Sequence, residues 1–412
     1  MKSAAFDTLS ARTVFLSTWL LLASTACGGG AQQASSDLVI SSDATLGELA
    51  AALLPDLAAR SGLSLRAPVR LEMRSREQLV RYLESKLDEE LPPEEARATV
   101  DAYALLGLVS ADLDLREVLL ALYTEQVAGF YEPDSTALFV MDDQPQAALQ
   151  GLLVHELVHA VQDQWADLDA LTDPDLGHDR ATAAQAAIEG HATLVMLEYM
   201  TEQMQGTSID LSQLPNFADQ LRPALQGMRA QFPALASAPR VIQEALLFPY
   251  VEGAGFVQGL WMREDRVAPF GEYLPQSTEQ ILTGAVDDVP VELAVAVQGS
   301  RVVHDGVLGR LELGVLLDEH LGAGSSSLAQ GWGGDRYAMF ETGNGERAMV
   351  WYAVWDDVGS RDRFFTGLRG ALGAFGAEAT LDSIDVQGRA AVRLRVGGQG
   401  GISTAVSITN QP

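Results

Sequence analysis

His155-Glu156-Leu157-Val158-His159 sets two imidazoles and a carboxylate at a spacing that can support hydrolytic chemistry. Residues four apart on an α-helix lie one above the other on the same face, so His155 and His159 can grip one divalent cation. Glu156 projects beside them, placed to take a proton from a water that such a cation activates. The surrounding stretch Gly151–Trp165, GLLVHELVHAVQDQW, predicts the helix that holds them. Leu152, Leu153, Val154, Leu157, Val158, Ala160 and Val161 make its body apolar, and a carboxylate among such neighbours is costly unless it has a partner.

A cation needs a third protein ligand. A second helix is predicted over Arg180–Gln205, and in its run AAQAAIEGHATLVML Glu189 is the only carboxylate between Asp179 and Glu198. Its alanines and Gly190 allow another helix to approach closely. The competitors are His191, His178, Asp173 and Asp175. His191 lies two residues past Glu189 and points about 200° away from it, so the two cannot serve one metal together. His178 and the two aspartates fall in the polar loop 167–179, where a ligand is poorly held. Glu189 is therefore the expected third ligand, with the fourth position left to water.

The elements ahead of this pair read as scaffold. Helices are predicted over Leu46–Ala59, Arg76–Leu91 (capped by Ser75), from Pro92 onward and over Leu115–Val127, with a strand at Val69–Met73. Phe130-Tyr131 and Leu138–Met141 read as a hairpin about Pro133-Asp134-Ser135, which can offer an edge strand to an extended peptide. Tyr131 there, and Tyr250 in the apolar segment Leu246–Met262, are candidate hydroxyl donors to an oxyanion.

HELVH followed one helical hairpin later by Glu-Gly-x-Ala resembles the gluzincin group of zinc metallopeptidases, over roughly residues 128–200. The resemblance implies Zn²⁺ held by His155, His159 and Glu189, with Glu156 as general base and a peptide or protein as substrate. It also implies a mainly helical zincin-like domain with a β-hairpin edge strand. The sequence departs from the group at Thr193, where an aspartate that orients a zinc histidine is usual. Asp163, one turn past His159, reads either as a carboxylate for that task or as a solvated helix-end residue.

The wider chain sets the context. Its 412 residues, 47% hydrophobic and 20% charged, are enough for two folded domains. The formal charge of −29 argues against nucleic acid as a partner. Residues 1–27 read as an export signal: Lys2 and Arg12, the apolar run Thr13–Ala23, then small residues before Cys27. Cys27 is the single cysteine, and its setting resembles a bacterial lipobox with Ser24 where leucine is more usual. It is the candidate lipidation site, with the membrane contacted through that anchor alone and residues 28–44 as a flexible tether.

Residues 45–285 form the expected zincin-like domain and 286–412 a smaller antiparallel α+β domain. Strands are predicted in the latter at Arg336–Thr342, Ala348–Trp355, Arg389–Val396 and Ile402–Thr409, with a helix at Arg361–Leu372. The function expected from all this is metal-dependent peptide hydrolysis in the cell envelope. The alternative is a surface lipoprotein that holds a metal or partner without turnover.

Overall fold

Side-chain caps start the first helices, at Ser75 as expected and at Asp43 two residues ahead of the expected Leu46 start. Asp43 accepts from the Leu46 N–H at the head of α1 (Ala44–Arg60). Ser75 and Gln78 form a reciprocal capping box on α2 (Arg76–Glu90), and Asp114 accepts from the Glu117 N–H on α4 (Leu115–Gln126). Between them, α3 (Pro93–Leu105) begins on a proline, whose missing N–H has no intrahelical partner to lose there. The computed structural model describes residues 15–18, 37–207, 209–214, 217–228, 232–264, 266–398 and 402–410. Cys27, and the stretch 28–36 of the expected tether, lie outside the described residues.

The first sheet runs β1-β4-β5-β3-β2, from β1 (Phe15–Thr18), β2 (Val39–Ser41), β3 (Val69–Arg74), β4 (Val127–Glu132) and β5 (Ala137–Met141). The predicted hairpin is β4–β5, antiparallel, with Gly129 opposite Val140 and Glu132 opposite Ala137. Two expectations are corrected here. Residues 28–44 are not tether throughout, because β2 pairs parallel with β3 and Val39 is buried; the apolar Leu38-Val39-Ile40 was the signal. The outer edge of β4 is not open in the full chain, because β1 pairs with it antiparallel, Phe15 opposite Tyr131. An edge strand presents unpaired N–H and C=O groups, and any extended segment of the same chain can satisfy them.

Behind the sheet lie α5 (Gln146–Asp163), α6 (His178–Gln205), α7 (Phe217–Met228) and α8 (Arg240–Arg263). The loop before α6 is not irregular throughout: it holds short helical turns at Leu168–Leu171 and Pro174–Leu176. The close approach expected at Gly190 is made, but to α8 rather than to α5. A Cβ on Gly190 would lie 2.0 Å from the Gly253 carbonyl carbon, and one on Gly253 would lie 1.9 Å from the Ala186 oxygen. Glycine at both positions lets the two backbones touch.

The C-terminal part is β-rich. Its main sheet is antiparallel in the order β10-β11-β9-β8-β7, from β7 (Val302–Gly306), β8 (Trp332–Glu341), β9 (Arg347–Trp355), β10 (Thr380–Val386) and β11 (Arg389–Val396). The four predicted strands do not share one sheet. β12 (Ser403–Ile408) leaves to pair with β6 (Leu293–Gln298), while β7 and β10 take the outer places, and α9 (Gly309–Leu321) was also missed. On one face, α10 (Val358–Arg369) seats Phe364 against Trp351 and Trp355. Burying such a side chain contributes roughly 1.5–3 kcal/mol. The core on this face also takes Tyr103 and Leu119 from α3 and α4, so it draws on both sides of residue 286. The architecture is thus mixed α+β, helical at the N-terminal side and β-rich at the C-terminal side. Among the described residues no helix is long and apolar enough to cross a membrane.

Candidate metal centre

α5 carries both histidines on the face that meets α6, and α6 brings Glu189 to them. His155 Nε2 lies 3.0 Å from Glu189 Oε2 and His159 Nε2 lies 3.4 Å from it. The two Nε2 atoms are 3.0 Å apart. This is the one such grouping of potential metal ligands among the described residues, and all three side chains are buried. Ligands held about 2.1 Å from a tetrahedral zinc are separated by about 3.4 Å, so the three atoms already stand near the spacing that a cation requires.

The electrostatics agree with that fit. Burial would raise the Glu189 carboxyl, but the facing histidines outweigh it and bring it down to about 2, so the ligand is anionic. Burial lowers His155, which favours the neutral imidazole that metals take; its hydrogen bond to Glu189 works the other way. Glu189 Oε1 has no hydrogen-bond partner. Glu156 is fully buried with neither carboxylate oxygen hydrogen-bonded. Its burial, and next the charge on Glu189, push its carboxyl well above the ordinary range; the Tyr131 backbone N–H offsets this without meeting hydrogen-bond geometry. A buried carboxylate left without partners is expensive, and a nearby cation is what would relieve it.

The other candidates fall elsewhere. His178 opens α6 rather than lying in a loop, and its Nε2 is 2.9 Å from Glu312 Oε1 on α9, while the Tyr103 hydroxyl donates to Glu312 Oε2. Asp173 accepts from the Asp175 N–H and caps a short turn. His191 points off the far side of α6, its Nε2 3.1 Å from the Ser61 carbonyl. Thr193 is buried with its hydroxyl unpartnered. Asp163 does not orient a histidine: it accepts from the Tyr131 hydroxyl at 2.8 Å and from the Leu168 N–H. The Tyr131 hydroxyl is committed to that bond. Tyr250, on α8, stays beside the centre, its ring 6.2 Å from that of His155. The residue that sequence reasoning missed is Gln162, whose Oε1 lies 2.8 Å from His159 Nδ1. A glutamine on the buried face of an apolar helix was the available signal.

The protein is therefore a mixed α+β chain with a buried two-histidine, one-glutamate grouping spaced to hold a metal ion. Among known families, a model described as Domain of unknown function (DUF8575) matches residues 297–411, a stretch that contains none of these ligands. No curated protein and no solved structure matches the chain.

Proposed function

We propose that this chain is an exported zinc metallopeptidase of gluzincin type, anchored through a lipid on Cys27. The observation that carries this reading is the convergence of His155, His159 and Glu189 beside a buried, unpartnered Glu156. Two imidazoles and one carboxylate with no thiolate are a donor set that suits zinc in a catalytic rather than a structural site. Bound there, zinc supplies polarisation of the scissile carbonyl and acidification of the attacking water. Glu156 accepts the proton and passes it to the leaving amine nitrogen. Tyr250, whose ring lies 6.2 Å from that of His155, is the candidate donor to the developing oxyanion. The substrate is an extended peptide that pairs with the edge of β4 in the place β1 takes in the full chain. Removal of residues 1–26 on export frees that edge.

The test is zinc per chain and chelator-sensitive cleavage of casein by the protein isolated from its native envelope, after signal processing. Chelator-insensitive or absent cleavage by a zinc-loaded, processed protein would remove the peptidase reading. Two observations favour the non-catalytic alternative, a metal- or partner-holding lipoprotein: Glu156 has no exposed surface and the β4 edge is occupied. Stoichiometric zinc without turnover after processing is the result that reading expects.

A further inference from the structure

Burial of a polar chain on the far side of His159 has a consequence for how that ligand is held. Ser61, the C-cap of α1, is fully buried, and its carbonyl is among those a helix end leaves without an intrahelical donor. His191 Nε2 lies 3.1 Å from that oxygen. A carbonyl only accepts, so His191 carries a proton on Nε2. Gln162 Nε2, held as a donor by the Ile188 carbonyl, faces Nδ1, which is therefore the bare nitrogen of the ring. Trp261 and Phe270 meet the ring edge to face and fix its plane. Gln162 Nε2 is 3.0 Å from His191 Nδ1 and 3.0 Å from the Ile188 carbonyl. Both are acceptors, which orients the amide independently of anything at the metal side. Gln162 Oε1 therefore faces His159 Nδ1 at 2.8 Å, and an oxygen there requires a proton on Nδ1.

We infer that Gln162 and His191 are positioning residues: they run a hydrogen-bond relay from the Ser61 carbonyl to His159, fixing its Nδ1–H tautomer and turning the Nε2 lone pair toward His155 and Glu189. The inference rests on the metal-binding reading for its purpose, but the tautomer is a property of the metal-free chain. In place of a carboxylate, the relay uses a neutral amide. It sets the ring orientation without adding a further charge to a centre that already holds Glu156 and Glu189. Each end of the relay is anchored on a different helix, so α1, α5 and α6 all contribute to the aim of one imidazole.

Two measurements on the full chain test it. In the zinc-free, ¹⁵N-labelled protein, long-range proton–nitrogen spectra are expected to show His159 protonated on Nδ1 and His191 on Nε2; either ring in the opposite tautomer overturns the relay. Zinc affinity, from competition with a chromogenic chelator, is expected to fall about 10–100-fold in Gln162→Met, a volume-matched change that removes both the donor and the acceptor. It should fall similarly in His191→Leu and recover in His191→Asn, whose Oδ1 can replace the bare Nδ1. Unchanged affinity in folded Gln162→Met and His191→Leu overturns the positioning role, and equal loss in His191→Leu and His191→Asn reduces it to packing. If the wild-type protein binds no zinc, the metallopeptidase reading and the positioning role both fall, while the tautomer spectra still decide whether the relay exists.

Discussion

Gly190→Ala tests whether the metal centre depends on the contact between α6 and α8. The added methyl would lie 2.0 Å from the Gly253 carbonyl carbon, 2.2 Å from its oxygen and 2.5 Å from the Ala254 nitrogen. Nonbonded carbons rest about 3.5 Å apart, so the crossing must open by about 1.5 Å. All three contacts are backbone atoms, which cannot rotate aside. Overpacking of this kind costs about 1–3 kcal/mol, and the upper end applies where nothing flexible can yield. Glu189 is the preceding residue, and ligand distances hold to about 0.2 Å, so even a share of that opening displaces a ligand. The expected result is a lower denaturant midpoint together with weaker zinc retention after dialysis. Gly259→Ala, on α8 with nothing within 4 Å of its added methyl, is the control and should be neutral or mildly stabilising. A Gly190→Ala protein with wild-type midpoint and full zinc would refute the reasoning.

Glu156→Gln should keep zinc and reduce turnover by about 10²–10⁴-fold, read as metal per chain against casein cleavage; equal activity ends the general-base assignment. Glu189→Ala should abolish zinc retention and His178→Ala should not, since His178 is paired with Glu312 instead; the opposite pattern would redraw the ligand set. Asp179 is pushed up to about 7 by burial, with Thr278 donating and His178 opposing the shift, and Asp335 adding to it. A carboxyl raised above its unfolded value stabilises the fold when protonated, and that contribution is lost as pH rises from about 4 to about 7. Asp179→Asn should therefore be more stable to unfolding than wild type at pH 8, by on the order of a few kcal/mol, with the gap closing near pH 4; a pH-independent difference would contradict this. Intact mass of the protein from its native host should show a mature chain starting at an acylated Cys27; that start without added acyl mass would mean a plain secreted protein.

The residues that were legible in the sequence owe it to local geometry. His155 and His159 meet because an α-helix places residues four apart on one face, and Glu189 stood out because a lone carboxylate in an alanine-rich helix has few reasons to be there. The cap at Ser75 is local in the same sense and begins its helix where expected; Asp43 and Asp114 cap the helices expected from Leu46 and Leu115, the first of which starts two residues earlier, at Ala44. The strands failed where pairing had to be chosen between partners far apart. Alternation marked Ser403–Ile408 as a strand but carried nothing about its neighbour, and it pairs with Leu293–Gln298 rather than joining the main sheet.

The same limit explains the polar partners that were missed. His178 reaches Glu312 and Tyr103 reaches that same glutamate, contacts that exist only once α3, α6 and α9 have packed. His191 reaches Ser61 across the junction of α6 with α1. A sequence can show that a buried histidine needs an acceptor, but the acceptor here is a backbone carbonyl, which has no residue type to read. Asp163 illustrates the error this invites, because a carboxylate one turn from a ligand has the right chemistry to orient it, yet packing turned it to Tyr131. Gln162, one position earlier, faces the ligand. That one-residue difference is about 100° of helix rotation, enough to separate the face that meets α6 from the face that meets β4.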